Sequence, residues 1–243
     1  MSDKGEFGTK NTGRVGIILL DGCEDVETFG ALDVYKRCGF DTKMVSLEAQ
    51  ELPSSAVVTT KCGIKFEPDE LYNLNFTLDD FDIVHIPGGA VLPSYLSKKN
   101  GRTVVNFMDA LVEYVQARGI LAANCITPAI LAKTGVFKKL GVKKATSYAD
   151  VVDFVGDAFE KLFGSSAVWA GEFEKSVDEP LVVVDKLSSG VVTTANGPGA
   201  TLEHAFLTAS LVCDEVVVSA QIRNMAAHIR VEALVEALKE VLR

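Results

Sequence analysis

Cys125 closes a run of apolar and small residues, GILAANC, and the chain then turns at once into a second apolar segment, ITPAILAKTG. A strand that ends on Cys125 and hands over to a helix near Thr127 sets one thiol at a strand-to-helix corner. There the free N–H groups and the positive end of the helix dipole favour thiolate over thiol. Such a sulfur can attack an electrophilic carbon or be oxidised. Two other stretches offer what that chemistry needs. The acidic loop DGCEDVE supplies Glu24, Asp25 and Glu27; a carboxyl such as Glu27, desolvated beside a thiolate, has its pKa raised and can donate a proton. Pro87-Gly88-Gly89 supplies backbone N–H groups with no Cβ in the way, suited to an oxyanion pocket or a bound anion.

Each feature also has a plainer explanation. Free cysteine is among the most buried residue types, so by spacing alone Cys125 reads as packing. Glu27 reads as a helix-start carboxylate opposing the dipole, and Gly88-Gly89 as a turn. Cys23, Cys38, Cys62 and Cys213 are taken as packing residues, with Cys23, in the acidic loop, a candidate for exposure. His85 within a strand and His204 near a helix start are read as structural.

The elements that must position these groups are legible in the hydrophobic pattern. Val15 to Leu20, Asp82 to Gly89 and ILAAN are short apolar runs of the kind buried on both faces of a parallel sheet. Thr42 to Leu47 and Ala56 to Phe66 are strand-like, Ala145 to Ser147 is a short strand, and LVVVDKLSSGVVTTAN reads as a hairpin turning on Ser188-Ser189-Gly190. Helical spacing marks Thr28 to Cys38, stopped by Gly39, and Thr103 to Ala117, stopped by Gly119. Helices are also expected over Tyr148 to Phe163, from about Leu202 to Val212, and through the last thirty or so residues, where Leu234, Leu238 and Leu242 repeat on one face. Strands alternating with helices predict a mostly parallel sheet with helices on both faces, and its ligand crevice lies beyond the carboxyl ends of the strands. If the strands before Glu27, before Gly88 and before Cys125 are neighbours, the carboxyl, the amide nest and the thiol share one crevice.

Composition narrows the field. The 243 residues, 48% hydrophobic and 23% charged, supply a sizeable core and argue against disorder. The net charge of -9 and the lack of a basic cluster weigh against nucleic acid or anionic membrane as partners. The five cysteines show no CxxC or zinc-ligand spacing, and an odd count suits reduced thiols in a cytoplasmic compartment. No metal or cofactor is implied. Residues 1–13 read as a disordered polar arm without the apolar stretch of a secretory signal, and 14–243 as one domain.

Taken in order, these stretches resemble the ThiJ/PfpI superfamily, in particular the branch of the Parkinson-disease protein deglycase. ILLDGCEDVETFGALDVYKRCGF is similar to the family's opening strand, acidic loop and helix and puts Glu27 at the pocket glutamate. HIPGG matches its Pro-Gly-Gly turn, giving Gly88 and Gly89 the oxyanion role. AANCITPAILAKTG matches its nucleophile elbow, giving Cys125 the nucleophile's place with the N–H of Ile126 beside it. NGPGATLEHAF resembles its Gly-Pro-Gly-Thr turn, so Pro198 and Gly199 would line the pocket. The resemblance runs from about Gly13 to Met225 and turns the reading of Cys125 from packing to function. It implies a doubly wound, flavodoxin-like fold of the class I glutamine amidotransferase-like kind, and a homodimer.

Two departures matter. Where many relatives carry a histidine after the strand that follows the elbow, KKATSYADVV has Tyr148, and a phenol with a pKa near 10 is no general base at neutral pH. A cysteine-histidine protease therefore loses its base. Between Tyr148 and Leu181 the chain is longer than the common core, and Phe154, Phe159, Phe163 and Trp169 there suggest a lid or partner surface. The resemblance implies a cofactor-independent enzyme for small reactive carbonyls, of glyoxalase III or deglycase type: Cys125 adds to methylglyoxal, Glu27 shuttles protons, Tyr148 orients the intermediate and lactate leaves. The alternatives are a redox sensor or stress-protective chaperone acting through Cys125 oxidation, and an isocyanide-hydratase-like enzyme, which usually goes with aspartate at the Glu27 place.

Overall fold

Short branched apolar runs form the strands, and segments of helical spacing form the longer helices, two of them stopped by Gly39 and Gly119, in a computed structural model that describes residues 12–48, 56–73, 75–151, 169–175 and 181–225. The described elements are, in chain order, β1 (Arg14–Leu19), α1 (Asp25–Arg37), β2 (Asp41–Ser46), β3 (Val58–Thr59), β4 (Lys65–Phe66), β5 (Glu70–Leu71), β6 (Ile83–Ile86), α2 (Leu92–Leu96), α3 (Gly101–Gln116), β7 (Ile120–Asn124), α4 (Thr127–Lys133), α5 (Val136–Leu140), β8 (Lys144–Thr146), β9 (Glu172–Glu174), β10 (Val182–Lys186), β11 (Val191–Ala195), α6 (Thr201–Ser210) and α7 (Glu215–Asn224).

Seven strands make one sheet in the order β10-β11-β7-β6-β1-β2-β5. Every pairing is parallel except the β10–β11 hairpin, which closes where Leu187 N–H donates to Gly190 C=O at 2.9 Å. This is the doubly wound, flavodoxin-like arrangement. β6 and β7 are buried along their whole length, and β1 after Arg14, as strands covered on both faces must be. The chain leaves β1 for β2 on one side and later for β6 on the other, so the strand order reverses beside β1 and a crevice opens at the carboxyl ends of β1 and β6. The strands before Glu27, Gly88 and Cys125 are therefore neighbours, in the order β1, β6, β7.

Some expectations need correcting. Ala56 to Phe66 is not one strand: β3 and β4 pair antiparallel around a turn in which Gly63, at φ +91°, donates its N–H to Thr60 C=O at 3.0 Å. Left-handed backbone at that glycine breaks the alternation the apolar residues suggest. Thr12 and Gly13, placed in the arm by sequence, are tied by hydrogen bonds to Gly39 and Asp41. Of the aromatic residues suggested as a lid or partner surface, Trp169 is described: its ring meets Phe137 and Phe173 edge-on, and its indole N–H donates to Val142 C=O at 2.7 Å. Of the helix expected from Tyr148, a 3-10 turn over Ala149–Val151 is described. Phe154, Phe159, Phe163, the Leu234, Leu238, Leu242 stripe and residues 1–11 lie outside the described residues. Among the described residues no helix is long and apolar enough to cross a membrane.

Candidate active site

Glu27 sits in the first turn of α1, whose N-cap Glu24 accepts the Glu27 N–H at 2.8 Å. Instead of lying on the surface as a dipole-opposing carboxylate, Glu27 is 0% exposed. Its Oε2 accepts the Gly88 N–H at 2.6 Å, while Oε1 has no partner and Cys125 is the side chain it faces. Desolvation pushes the Glu27 carboxyl up to about 7; the Gly88 hydrogen bond opposes this and the charge of Glu24 adds to it.

The Pro-Gly-Gly turn is stitched to the loop after β1. Glu24 N–H donates to Gly88 C=O at 2.9 Å and Ala90 N–H to Gly22 C=O at 2.8 Å, with Cys23 bridged to Gly89. This close approach explains both glycines. A Cβ on Gly88 would lie 2.7 Å from the Cβ of Cys125, and one on Gly89, at φ +111°, 2.4 Å from the Gly22 carbonyl oxygen. The two serve the pocket differently from expectation. The Gly88 N–H is engaged by Glu27, whereas the N–H groups of Gly89 and Ile126 are the ones directed at the Cys125 sulfur.

Cys125 adopts φ +57°, a left-handed conformation that a non-glycine residue keeps only when its surroundings impose it. They do: its N–H donates to Ala195 C=O at 2.8 Å, and its C=O accepts the Tyr148 N–H at 2.9 Å and the Ser147 hydroxyl at 2.6 Å. Thr127 fastens the far side of the corner by donating its hydroxyl to Pro87 C=O at 2.9 Å. The thiol is only partly buried, unlike Cys23, Cys38 and Cys213. Burial works against the ionisation that the helix dipole favours. Burial pushes the Cys125 thiol up to about 12, with the nearby Glu27 carboxylate the next cause, against the Gly89 and Ile126 N–H groups. Thiol and carboxyl thus compete for one proton, and only a protonated Glu27 stops opposing the thiolate.

The remaining positions are placed as follows. Tyr148 is 44% exposed and holds the corner through its backbone, its ring lying 3.6 Å from where a Cβ on Gly197 would sit. Pro198 and Gly199 form the short turn into α6, on the edge that receives the Cys125 N–H. Cys23 is fully buried rather than exposed, and Cys62, read as packing, is exposed on the β3–β4 turn, where its N–H donates to Asp25 at 3.0 Å. Sequence reading missed Ser147 and Asn124, and marked Thr127 as the start of the helix without foreseeing its bond to Pro87. The available signal was Asn124 itself, a polar side chain ending the buried run ILAA, which must find partners inside.

A flavodoxin-like α/β sheet that carries a left-handed cysteine at a strand-to-helix corner, against a buried carboxyl and a glycine turn, defines a class of cysteine-elbow proteins. The chain belongs to the DJ-1/PfpI family, whose sequence pattern matches residues 13–211. It is 29% identical over 196 residues to Protein DJ-1 homolog A of Arabidopsis thaliana, covering 80% of this chain and 41% of that protein, so the chain spans about two fifths of that relative's length. It is 28% identical over 192 residues to Protein dj-1beta of Drosophila melanogaster, covering 78% of this chain and 83% of that one. Among solved structures, that of VC2308 protein superposes with a TM-score of 0.64 at 19% identity, covering 91% of this chain and 97% of its own.

Proposed function

We propose that this protein is a cofactor-independent cysteine enzyme acting on small reactive carbonyls, converting methylglyoxal to lactate as a glyoxalase III or acting as a deglycase. The observation that carries the reading is Cys125, held at φ +57° against a buried Glu27 whose carboxyl keeps its proton up to about pH 7. When the one proton that the pair shares is on Glu27, the Cys125 thiolate adds to the aldehyde carbon. An S–C bond forms, the C=O π bond breaks, and the oxygen takes its proton from Glu27. Glu27, now a carboxylate, removes the proton from the former aldehyde carbon and returns it to the adjacent ketone carbon, while the hydroxyl proton on the former aldehyde oxygen passes to the ketone oxygen, which becomes the lactoyl hydroxyl. This leaves a lactoyl thioester, which one water cleaves to lactate and free thiol, so the sum is methylglyoxal plus water to lactate. The Gly89 and Ile126 N–H groups face the sulfur and would stabilise the oxyanion that develops on the attacked aldehyde oxygen beside it, and Tyr148 would orient the intermediate. We include in the proposal a homodimer, and neither nucleic acid nor membrane as partner.

A second reading, redox sensing, is favoured by the same unpartnered Glu27 Oε1, which when protonated can donate to an oxidised sulfur on the partly exposed Cys125. The test is methylglyoxal turnover with lactate as readout for the wild type, Cys125→Ser and Glu27→Gln. Lactate formation by the wild type that both substitutions abolish is expected. Lactate formation undiminished in Cys125→Ser ends the proposal. No lactate from the wild type, together with ready mass gain at Cys125 in mild peroxide, leaves only the sensor.

A further inference from the structure

Behind the elbow, on the sheet face covered by α1 and α6, lies a row of polar side chains that the chemistry above does not use. The strand register places His85 of β6 beside Ala122 of β7, and Ala122 beside Thr193 of β11. Neighbours in a parallel register share a face, and Asn124, two residues beyond Ala122, shares it too. The small Ala122 leaves room above it, and His204 from α6 fills that room, its ring 5.6 Å from that of His85. Both rings are fully buried.

Both His204 nitrogens are engaged. Nδ1 meets Asn124 Oδ1, and Nε2 lies 2.8 Å from the Thr193 hydroxyl. The Asn124 amide reaches the Thr201 hydroxyl at 3.4 Å, so this side chain bridges His204 and Thr201. Thr193 is in turn 3.0 Å from the Thr208 hydroxyl, which donates back to His204 C=O at 2.8 Å. The cluster thus ties α6 to β11 and to the last residue of β7. That residue immediately precedes the left-handed cysteine.

We propose that His204 is a positioning residue for Cys125: by clamping Asn124 to Thr193 it holds the end of β7 so that the next residue keeps φ near +57° and its sulfur stays against Glu27, Gly89 and Ile126. A left-handed cysteine relaxes when its neighbours let it. Without the clamp, Asn124 is a buried amide short of a partner, and the corner can swing toward ordinary backbone, carrying the sulfur off its donors. The inference rests on Cys125 being the nucleophile, though not on which carbonyl it attacks.

The test reads Cys125 directly, through its alkylation rate with iodoacetamide as a function of pH, followed by mass at that residue, beside thermal melting of each variant. His204→Phe fills the space without either hydrogen bond, and it should slow alkylation at neutral pH by about tenfold and shift the pH profile. His204→Asn keeps an amide group, donor and acceptor, to pair with Asn124 and should restore most of the rate. Should His204→Phe fail to fold, Thr193→Val, which removes the hydroxyl at Nε2 while keeping the shape, is expected to move the same profile. A lowered melting temperature with an unchanged alkylation profile in the folded variants, or a rate that His204→Asn does not recover, overturns the proposal. Absence of methylglyoxal turnover in the wild type would sink the carbonyl reading and leave this one standing, since alkylation needs no substrate.

Discussion

At the scale of single residues, the centre of the site is a carboxyl and a thiol that cannot both be charged. Glu27 is raised to about 7 chiefly by burial, and the same low-dielectric surroundings raise Cys125. A carboxyl whose folded pKa lies above its unfolded value of 4.5 stabilises the fold fully below that value and loses its contribution as pH rises toward about 7. Relative to the wild type, Glu27→Gln should therefore gain stability between pH 4.5 and 7, by on the order of 3 kcal/mol across the window. Urea unfolding of both proteins at several pH values measures the difference, and a difference that does not change with pH would show that Glu27 is not a buried titrating group. The same substitution removes the proton donor, so enhanced stability and lost turnover should arrive together.

At the scale of elements, the site exists because two loops approach more closely than side chains allow. The bonds Glu24 to Gly88 and Ala90 to Gly22 bring the turn after β6 against the start of α1, and they leave no room for a Cβ on either glycine. Gly89→Ala combines a left-handed φ with a contact to backbone that cannot move aside, and should cost about 3 kcal/mol. Gly88→Ala pushes on Cys125 itself and on the Asn124 carbonyl. It should cost about 1–3 kcal/mol and slow Cys125 alkylation more than its stability loss accounts for. Thermal unfolding and alkylation of both variants check this; Gly88→Ala with wild-type alkylation would mean that the two loops are not packed as described.

At the scale of the molecule, the covered face of the sheet holds two buried histidines that fold as neutral rings. Desolvation lowers His85 to about 3, and His204 also lies well below its ordinary value. A group whose folded pKa is depressed contributes stability above its unfolded value, about 6.5, and loses it as pH falls. The fold should therefore weaken in acid from pH 6.5 downward, against the Glu27 trend, which runs the other way between 7 and 4.5. His85→Leu should flatten that acid slope, by on the order of 3 kcal/mol near pH 4 compared with wild type, whatever it does to stability at pH 7. Chemical denaturation at pH 7 and pH 4 separates the two, and parallel pH dependences in variant and wild type would contradict a neutral buried His85.

Much of this was legible from the chain alone, since buried parallel strands announce themselves as short branched runs. VGIILL and ILAAN define β1 and β7 to within a residue, and the β10–β11 hairpin shows in two branched runs around a glycine. β5 and the helices α2 and α5 were not legible, because two to five residues carry too little periodicity. The β3–β4 hairpin looked like one strand because the left-handed turn at Gly63 is a backbone choice that apolar spacing does not encode. The sequence by itself determined the alternation of strands and helices and the presence of an acid, two glycines and a thiol at strand ends. Only the tertiary structure decided that the strands before Glu27, Gly88 and Cys125 are neighbours, that the Gly88 N–H belongs to Glu27, that burial opposes ionisation of the thiol, and that two histidines far apart in the chain meet behind it. Desolvation and hydrogen-bond partnership depend on what packs against a residue, and in a doubly wound sheet those neighbours come from segments up to 175 residues away, as Cys213 reaching the Cys38 carbonyl illustrates.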